Sequence, residues 1–161
     1  MAEHDWPEEA RDHFERGYRA QMDGRLDEAV ECYKRSLAIH QSAEAHTFIG
    51  WALSHQGRHA EAIAECREAI TVDPTFGNPY NDIGAYLVEL GRDDEAVEWL
   101  ERAKSAPRYE PRHYPYLNLA SIYARHHKVR EAIAELQGAL AIEPEHRAAR
   151  QELHRLIGLL N

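Results

Sequence analysis

The sequence predicts an all-α fold, a solenoid of antiparallel helix pairs, from three observations. The hexapeptide Gly24-Arg-Leu-Asp-Glu-Ala29 returns as Gly57-Arg-His-Ala-Glu-Ala62 and Gly91-Arg-Asp-Asp-Glu-Ala96, with a worn fourth copy at His127-Lys-Val-Arg-Glu-Ala132. The closing alanines lie 33, 34 and 36 residues apart, a period that belongs to stacked helical units rather than to a domain with one central core. A small residue (Gly17, Gly50, Gly84 or Ala120) stands mid-way in the segment before each copy. Glycine costs an interior helix about 1 kcal/mol against alanine, so its recurrence predicts a close helix–helix approach at that point.

The elements follow in order. Asp5 is the expected N-cap of the first helix, with Glu8 three residues on as in a capping box and Pro7 in the first turn. That helix runs to about Met22, where Gly24 stops it by taking the left-handed conformation. The second helix covers about Leu26–Ile39. The pairs then recur at about Ala43–Gln56 with His59–Val72, Asn78–Leu90 with Asp93–Ser105, and Tyr114–His126 with Val129–Ile142. A ninth helix, about Glu145–Leu160, closes the chain. Large apolar residues such as Ile49, Leu53, Ile83, Leu87, Leu100, Leu119 and Leu136 fill the interior. In the worn copy His127 replaces the turn glycine, where a left-handed backbone costs a bulky residue about 1 kcal/mol. The segment 104–116 is two residues longer than its counterparts and carries three prolines, three tyrosines and two arginines. It reads as a longer connector between repeats or as a rim touching a ligand.

A small residue in the first helix, a glycine turn, an alanine early in the second helix and a following proline (Pro74, Pro144) resemble the tetratricopeptide repeat. The resemblance covers about Ala10 to Glu145. It implies a right-handed superhelix in a single domain of four repeats, about 10–42, 43–76, 77–112 and 113–144, with a capping helix over about 145–160. It departs from the family pattern at Gln41, where a proline would fall, and at His127.

Composition narrows the function. With 28 acidic against 19 basic residues the formal net charge is −9. Nucleic acid and anionic membrane surfaces call for a basic stripe, and no run of lysines or arginines supplies one. A neutral or basic protein partner is expected. The polar, acidic start Met1–Trp6 reads as no signal peptide, no apolar run approaches the ~18 residues of a membrane span, and the expected location is the cytoplasm. Cys32 and Cys66 sit at nearly equivalent places in successive repeats and read as small buried apolar residues. No phosphate loop or zinc-protease motif is present. The eleven histidines read as surface residues: His55 and His59 are separated by the Gly57 turn, and His126-His127 diverge in the same way. No catalytic residue, metal site or cofactor is expected.

The resemblance also implies where recognition sits, because first helices of such repeats line a concave groove. Residue by residue, it places there Arg11, Phe14, Glu15, Tyr18 and Met22; Glu44, Thr47, Phe48, Trp51 and His55; Asn78, Asn81, Asp82, Ala85 and Glu89; and Tyr114, Leu117, Asn118, Ser121 and Arg125. The expected peptide-binding residues are Phe14, Tyr18, Phe48 and Trp51 in an aromatic half, and Asn78, Asn81, Asp82, Tyr114, Asn118 and Arg125 in a polar half. Stiff aromatic side chains give hot spots, and amides suit the backbone of an extended peptide. The chaperone-binding subfamily grips a C-terminal carboxylate with lysines, arginine and asparagines. The matching positions here, Phe14, Tyr18, Phe48, Asn78 and Asp82, or one repeat later Thr47, Trp51, Asp82, Tyr114 and Asn118, lack those cations. The expected function is a non-enzymatic scaffold that binds a peptide or protein segment. Two alternatives stand beside it: a homotypic module associating through its apolar terminal helix (Leu153, Leu156, Ile157, Leu159 and Leu160), and a small chaperone masking a partner's hydrophobic helix.

Overall fold

The computed structural model describes residues 5–161; Met1–His4, the first part of the polar N-terminal stretch, lie outside them. The described chain is helical throughout: α1 (Glu8–Met22), α2 (Leu26–Ile39), α3 (Ala43–His55), α4 (His59–Val72), α5 (Asn78–Glu89), α6 (Asp93–Lys104), α7 (Tyr114–Arg125), α8 (Val129–Ile142) and α9 (Arg147–Gly158). Consecutive odd and even helices form hairpins, and each hairpin packs on the next. Ends agree with expectation to within two residues.

The hexapeptide acquires a physical meaning, residue by residue. Its glycine ends the first helix of a pair in a left-handed turn, with φ of 76° at Gly24, 77° at Gly57 and 72° at Gly91. The next N–H then reaches back five residues to an otherwise unpaired carbonyl: Arg25 to Ala20 at 2.8 Å, Arg58 to Leu53 at 2.9 Å and Arg92 to Leu87 at 2.8 Å. The arginine forks onto the glutamate three residues on, as Arg25–Glu28, Arg58–Glu61 and Arg92–Glu95. These exposed pairs add little stability singly. The closing alanines Ala29, Ala62, Ala96 and Ala132 have no exposed surface.

The small residues mark the close approach. A Cβ placed on Gly50 would lie 3.0 Å from the Ala62 carbonyl oxygen and 3.1 Å from Cys66 Sγ, and one on Gly17 would meet the Tyr33 ring at 2.8 Å. Large side chains, among them Tyr33, Ile49, Ile83, Leu100 and Leu119, form one continuous core through the first three pairs into α7. Ala120, Leu136, Ala149 and Leu156 form a second cluster that seats α9. Cys32 and Cys66 are both buried free thiols.

Two ends differ from expectation. Asp5 is not the N-cap: α1 starts at Glu8 with Pro7 in the cap position and no side-chain cap. An apolar anchor does the work instead. Trp6 is 5% exposed and meets Phe14 edge-on at 5.1 Å between ring centroids, so burial of an indole fixes the entry of the chain. At the other end α9 is shorter than expected, and the His146 ring caps it by accepting the Ala149 N–H at 3.1 Å.

The worn turn keeps the geometry of the other three. His127 has φ 59°, and the Lys128 N–H still reaches Tyr123 O at 2.9 Å. His127→Gly should therefore stabilise the protein by about 1 kcal/mol, read as a raised Tm; a lowered Tm would contradict the strain. Gly50→Leu should cost about 1–3 kcal/mol by overpacking against Ala62, measurable by urea denaturation.

Candidate peptide-binding groove

The odd-numbered helices form one face, on which α5 touches both α3 and α7. Stacking hairpins of equal length brings residues a repeat apart into register. Ring–ring distances and side-chain bonds therefore show which expected residues meet.

At the N-terminal end the aromatic residues do meet. Phe48 of α3 lies 5.5 Å from Phe14 and 6.0 Å from Tyr18 of α1, ring to ring, with Tyr33 stacked behind it at 5.7 Å. Phe14 is only 8% exposed and forms the floor, while Tyr18 is 45% exposed and forms a wall. Glu15 and Arg19 complete the rim of a hollow of ≈ 400 Å³. Met22, further along α1, is largely exposed. Trp51 is half-buried one turn beyond Phe48 and stacks on His55 at 3.7 Å, where the His55 Nδ1–H donates to Trp51 O at 3.0 Å.

The polar half is more committed internally than free amides would be. Asn81 is buried, and its Oδ1 accepts from Asn118 Nδ2 at 2.9 Å, so this pair ties α5 to α7. Asn78 Nδ2 donates to Glu110 O at 3.3 Å, whereas Asn78 Oδ1 is buried and accepts no bond from the chain. Asp82 is half-buried, and burial pushes its carboxyl up to about 7, opposed only by a hydrogen bond from Asn81. Tyr114 is exposed beside His113. Arg125 reaches back to Asp93 at 2.9 Å, so its guanidinium is engaged at the turn end of the face.

Two segments take places on this face that the sequence left open. The α9 helix occupies the place of a fifth first helix. Its Ala148, Ala149, Glu152 and Arg155 join Leu117, Ser121 and Arg125 around a groove of ≈ 490 Å³. The signal was available: Arg147 follows Pro144 much as Asn78 follows Pro74. The other contributor is the proline-rich segment, which docks as a strap along the edge of repeats two and three. Its Arg108 forms a short parallel bridge with Phe76, the Arg108 N–H to Thr75 O at 3.0 Å and the Gly77 N–H to Arg108 O at 2.8 Å. The Arg108 side chain binds Glu44 at 3.0 Å and Asp73 at 2.7 Å. Burial works against ionised Asp73, but bonds from Thr75 and Arg108 outweigh it and hold the carboxyl at about 2. Tyr109 is buried against Gly77, where a Cβ would come within 2.5 Å of it. No local pattern announced a contact from Arg108 to a glutamate 64 residues away.

Among the described residues no group of three or more His, Cys, Asp or Glu side chains could hold a metal ion. No described helix is long and apolar enough to cross a membrane.

These features define an α-solenoid repeat protein with an open face along its first helices. Family models described as tetratricopeptide repeat match residues 14–75 and 80–105, together more than half of the chain, which belongs to the tetratricopeptide repeat family. It is 32% identical over 71 residues to the small glutamine-rich tetratricopeptide repeat-containing protein 2 of Mycosarcoma maydis, a match covering 44% of this chain and 20% of that protein. The matched part is thus about a fifth of the length of that relative. Among solved structures, Pseudomonas aeruginosa PilF superposes with a TM-score of 0.84 at 24% identity, over 92% of this chain and 68% of that one. The protein YrrB, described as a TPR protein with an unusual peptide-binding site, superposes with a TM-score of 0.70 at 18% identity, over 89% and 73%.

The environment of Asp82 carries a stability consequence. Its folded carboxyl titrates near 7, above the unfolded value of about 4. Between these values the folded state holds the proton more tightly, so this group's contribution to stability falls as pH rises toward 7 and stays at its minimum above it. Asp82→Asn should therefore raise Tm above about pH 7, and the advantage should shrink as pH falls toward the ordinary carboxylate range. Thermal melts of both proteins across pH check the sign.

Proposed function

We propose that this chain is a non-enzymatic interaction scaffold that holds a peptide or protein segment along the face of its first helices. The observation that carries the reading is the aromatic hollow of Phe14, Tyr18 and Phe48: a partly exposed tyrosine over a buried aromatic floor is a surface on which an apolar side chain can be anchored. Trp51, on the next turn of α3, extends the same stripe. Asn118 keeps its carbonyl oxygen and a second N–H for a peptide backbone after bonding Asn81. A short amphipathic helix of a partner can use the same anchor. YrrB is described as having a peptide-binding site on the same fold, in keeping with this use of it. The net charge of −9 favours a neutral or basic partner over nucleic acid. Two buried free thiols suit a reducing compartment, the cytoplasm.

A second reading rests on α9. Leu156 is buried against the preceding repeat, but Ile157, Leu159 and Leu160 are exposed, an apolar end through which copies of the chain can associate.

A phage-displayed library of random dodecapeptides panned on the protein tests the first reading. Selected peptides should lose about tenfold or more in affinity on Tyr18→Ala/Trp51→Ala, measured by fluorescence anisotropy. Binding indifferent to both substitutions would remove the groove reading. Light scattering over a concentration range tests the second, and a mass fixed at one chain would remove it.

A further inference from the structure

The same positions of the repeat open onto a cavity at each end of the first-helix face. Counted from the small residue of each pair, the position three before it holds Phe14, Thr47, Asn81 and Leu117. The position one after it holds Tyr18, Trp51, Ala85 and Ser121. Phe14 and Tyr18 of the first pair shape the aromatic hollow of ≈ 400 Å³. Three repeats on, Leu117 and Ser121 shape the groove of ≈ 490 Å³ between α7 and α9. In the two middle pairs the first position is polar instead: Thr47 is buried with its hydroxyl on Ala43 O at 2.7 Å, and Asn81 is buried against Asn118. Leu117 is half-buried and Ser121 exposed, so the α7–α9 groove is open to a side chain arriving from solvent.

A second, independent observation is the chemistry of that groove. Small side chains leave it open: Ala120, Ala124, Ala148 and Ala149 line it with Leu117 and Leu136. Ala120, Leu136 and Ala149 are buried and form its floor. Its polar rim is spent inside the chain. Arg155 forks onto Glu152 at 2.7 and 2.8 Å, and Arg125 reaches Asp93 at 2.9 Å. The His146 ring is held as the cap of α9. An ionic ligand would have to displace these pairs, whereas an uncharged apolar side chain would cover the methyl groups and leave the pairs in place. At the other end of the face Glu15 and Arg19 likewise answer each other, 4.0 Å apart. Both cavities therefore favour the same kind of side chain.

We propose that the α7–α9 groove is a second apolar subsite for the segment whose first anchor sits in the aromatic hollow. This deepens, and rests on, the reading of the first-helix face as a peptide groove. The ligand is then an extended segment of a partner with two uncharged aliphatic or aromatic side chains at a set separation. The stack fixes that separation. The hollow lies between α1 and α3 and the groove between α7 and α9, three first-helix steps apart. Packed helices lie about 8–10 Å apart, so the anchors span about 24–30 Å. An extended chain advances about 3.3 Å per residue, which places the anchors about seven to nine residues apart. Between them the main chain passes Asn118, which keeps its carbonyl oxygen and one N–H. The terminal helix thus serves twice, covering the last pair and supplying one wall of the site. The exposed tail of a second copy does not fit this ligand: Ile157, Leu159 and Leu160 lie within four residues of one another, too close to reach both cavities.

The same dodecapeptide library tests this on the intact protein, since twelve extended residues cover about 40 Å. The expected result is enrichment of two aliphatic or aromatic residues at a fixed separation of about seven to nine. Ser121→Arg sets a long charged side chain at the mouth of the α7–α9 groove from an exposed position. It should weaken the selected peptides about tenfold and leave Tm unchanged. Alanine in place of one of the two peptide anchors should weaken binding as much, and combined with Ser121→Arg it should cost no more than either change alone. Peptides that depend on Tyr18 and Trp51 but carry a single anchor, or are indifferent to Ser121→Arg, would overturn the second subsite and leave the groove reading standing. Peptides indifferent to Tyr18→Ala/Trp51→Ala would overturn both. A mass that rises with concentration in light scattering and returns to one chain on Ser121→Arg would put a second copy in the groove, and would overturn the subsite as well.

Discussion

The contact between the two helices of a pair, at a small residue on one and an alanine on the other, is the constraint from which the rest of the molecule follows. At Gly50 the backbone of α3 comes so near α4 that a single methyl group would press on the Ala62 carbonyl. The Tyr33 ring uses the room left at Gly17 and Leu100 the room left at Gly84, while Ala29, Ala62, Ala96 and Ala132 are fully enclosed. Two helices locked this closely leave their remaining apolar faces uncovered, and only the next hairpin can cover them. Repetition therefore generates the stack, and the stack brings α1, α3, α5, α7 and α9 onto one side. This open face is a by-product of packing, which leaves its residues free to vary while the frame stays the same.

What varies along that face is how completely each polar group is satisfied by the chain itself. Asn118 donates to the Asn81 side-chain oxygen, and Arg125 answers Asp93. The strap supplies Arg108 to two acids at once and fills the gap beside Gly77 with Tyr109. These contacts stiffen the edge of the groove and lower its appetite for a ligand at those points. Between them, Asp82 and the Asn78 carbonyl oxygen stay unanswered. An interior group left in this state lowers stability. The aromatic hollow offers a place to an apolar side chain.

Much of this was legible from the sequence wherever the cause was local. A glycine that ends a helix, and an arginine that meets a glutamate three residues on, involve neighbours within one or two turns, so the repeated hexapeptide could be read directly. His127 was legible for the same reason: the turn repeats, and its φ of 59° follows from the register. Asp5 misled because a capping pattern is only one way to start a helix, and the indole of Trp6 found a better use in the core against Phe14. Phe14 was named correctly as an aromatic of the first helix, but its burial depends on Trp6, Tyr33 and Phe48 arriving together. Asn81 looked like a free amide until α7 placed Asn118 beside it.

By itself, then, the sequence determined the class of fold, the order of the helices and most of their inner ends, the turn chemistry and the family, since these depend on period and on interactions within a few residues. Only the tertiary structure decided which groove residues remain available. It docked the proline-rich segment as a strap, bound Arg108 to Glu44 across 64 residues, joined the two asparagines and left Asp82 without a cation among the described residues. These outcomes depend on which side chains from distant repeats arrive at the same place. A one-dimensional pattern carries no term for that, because a buried charge is answered or left alone by its neighbours in space.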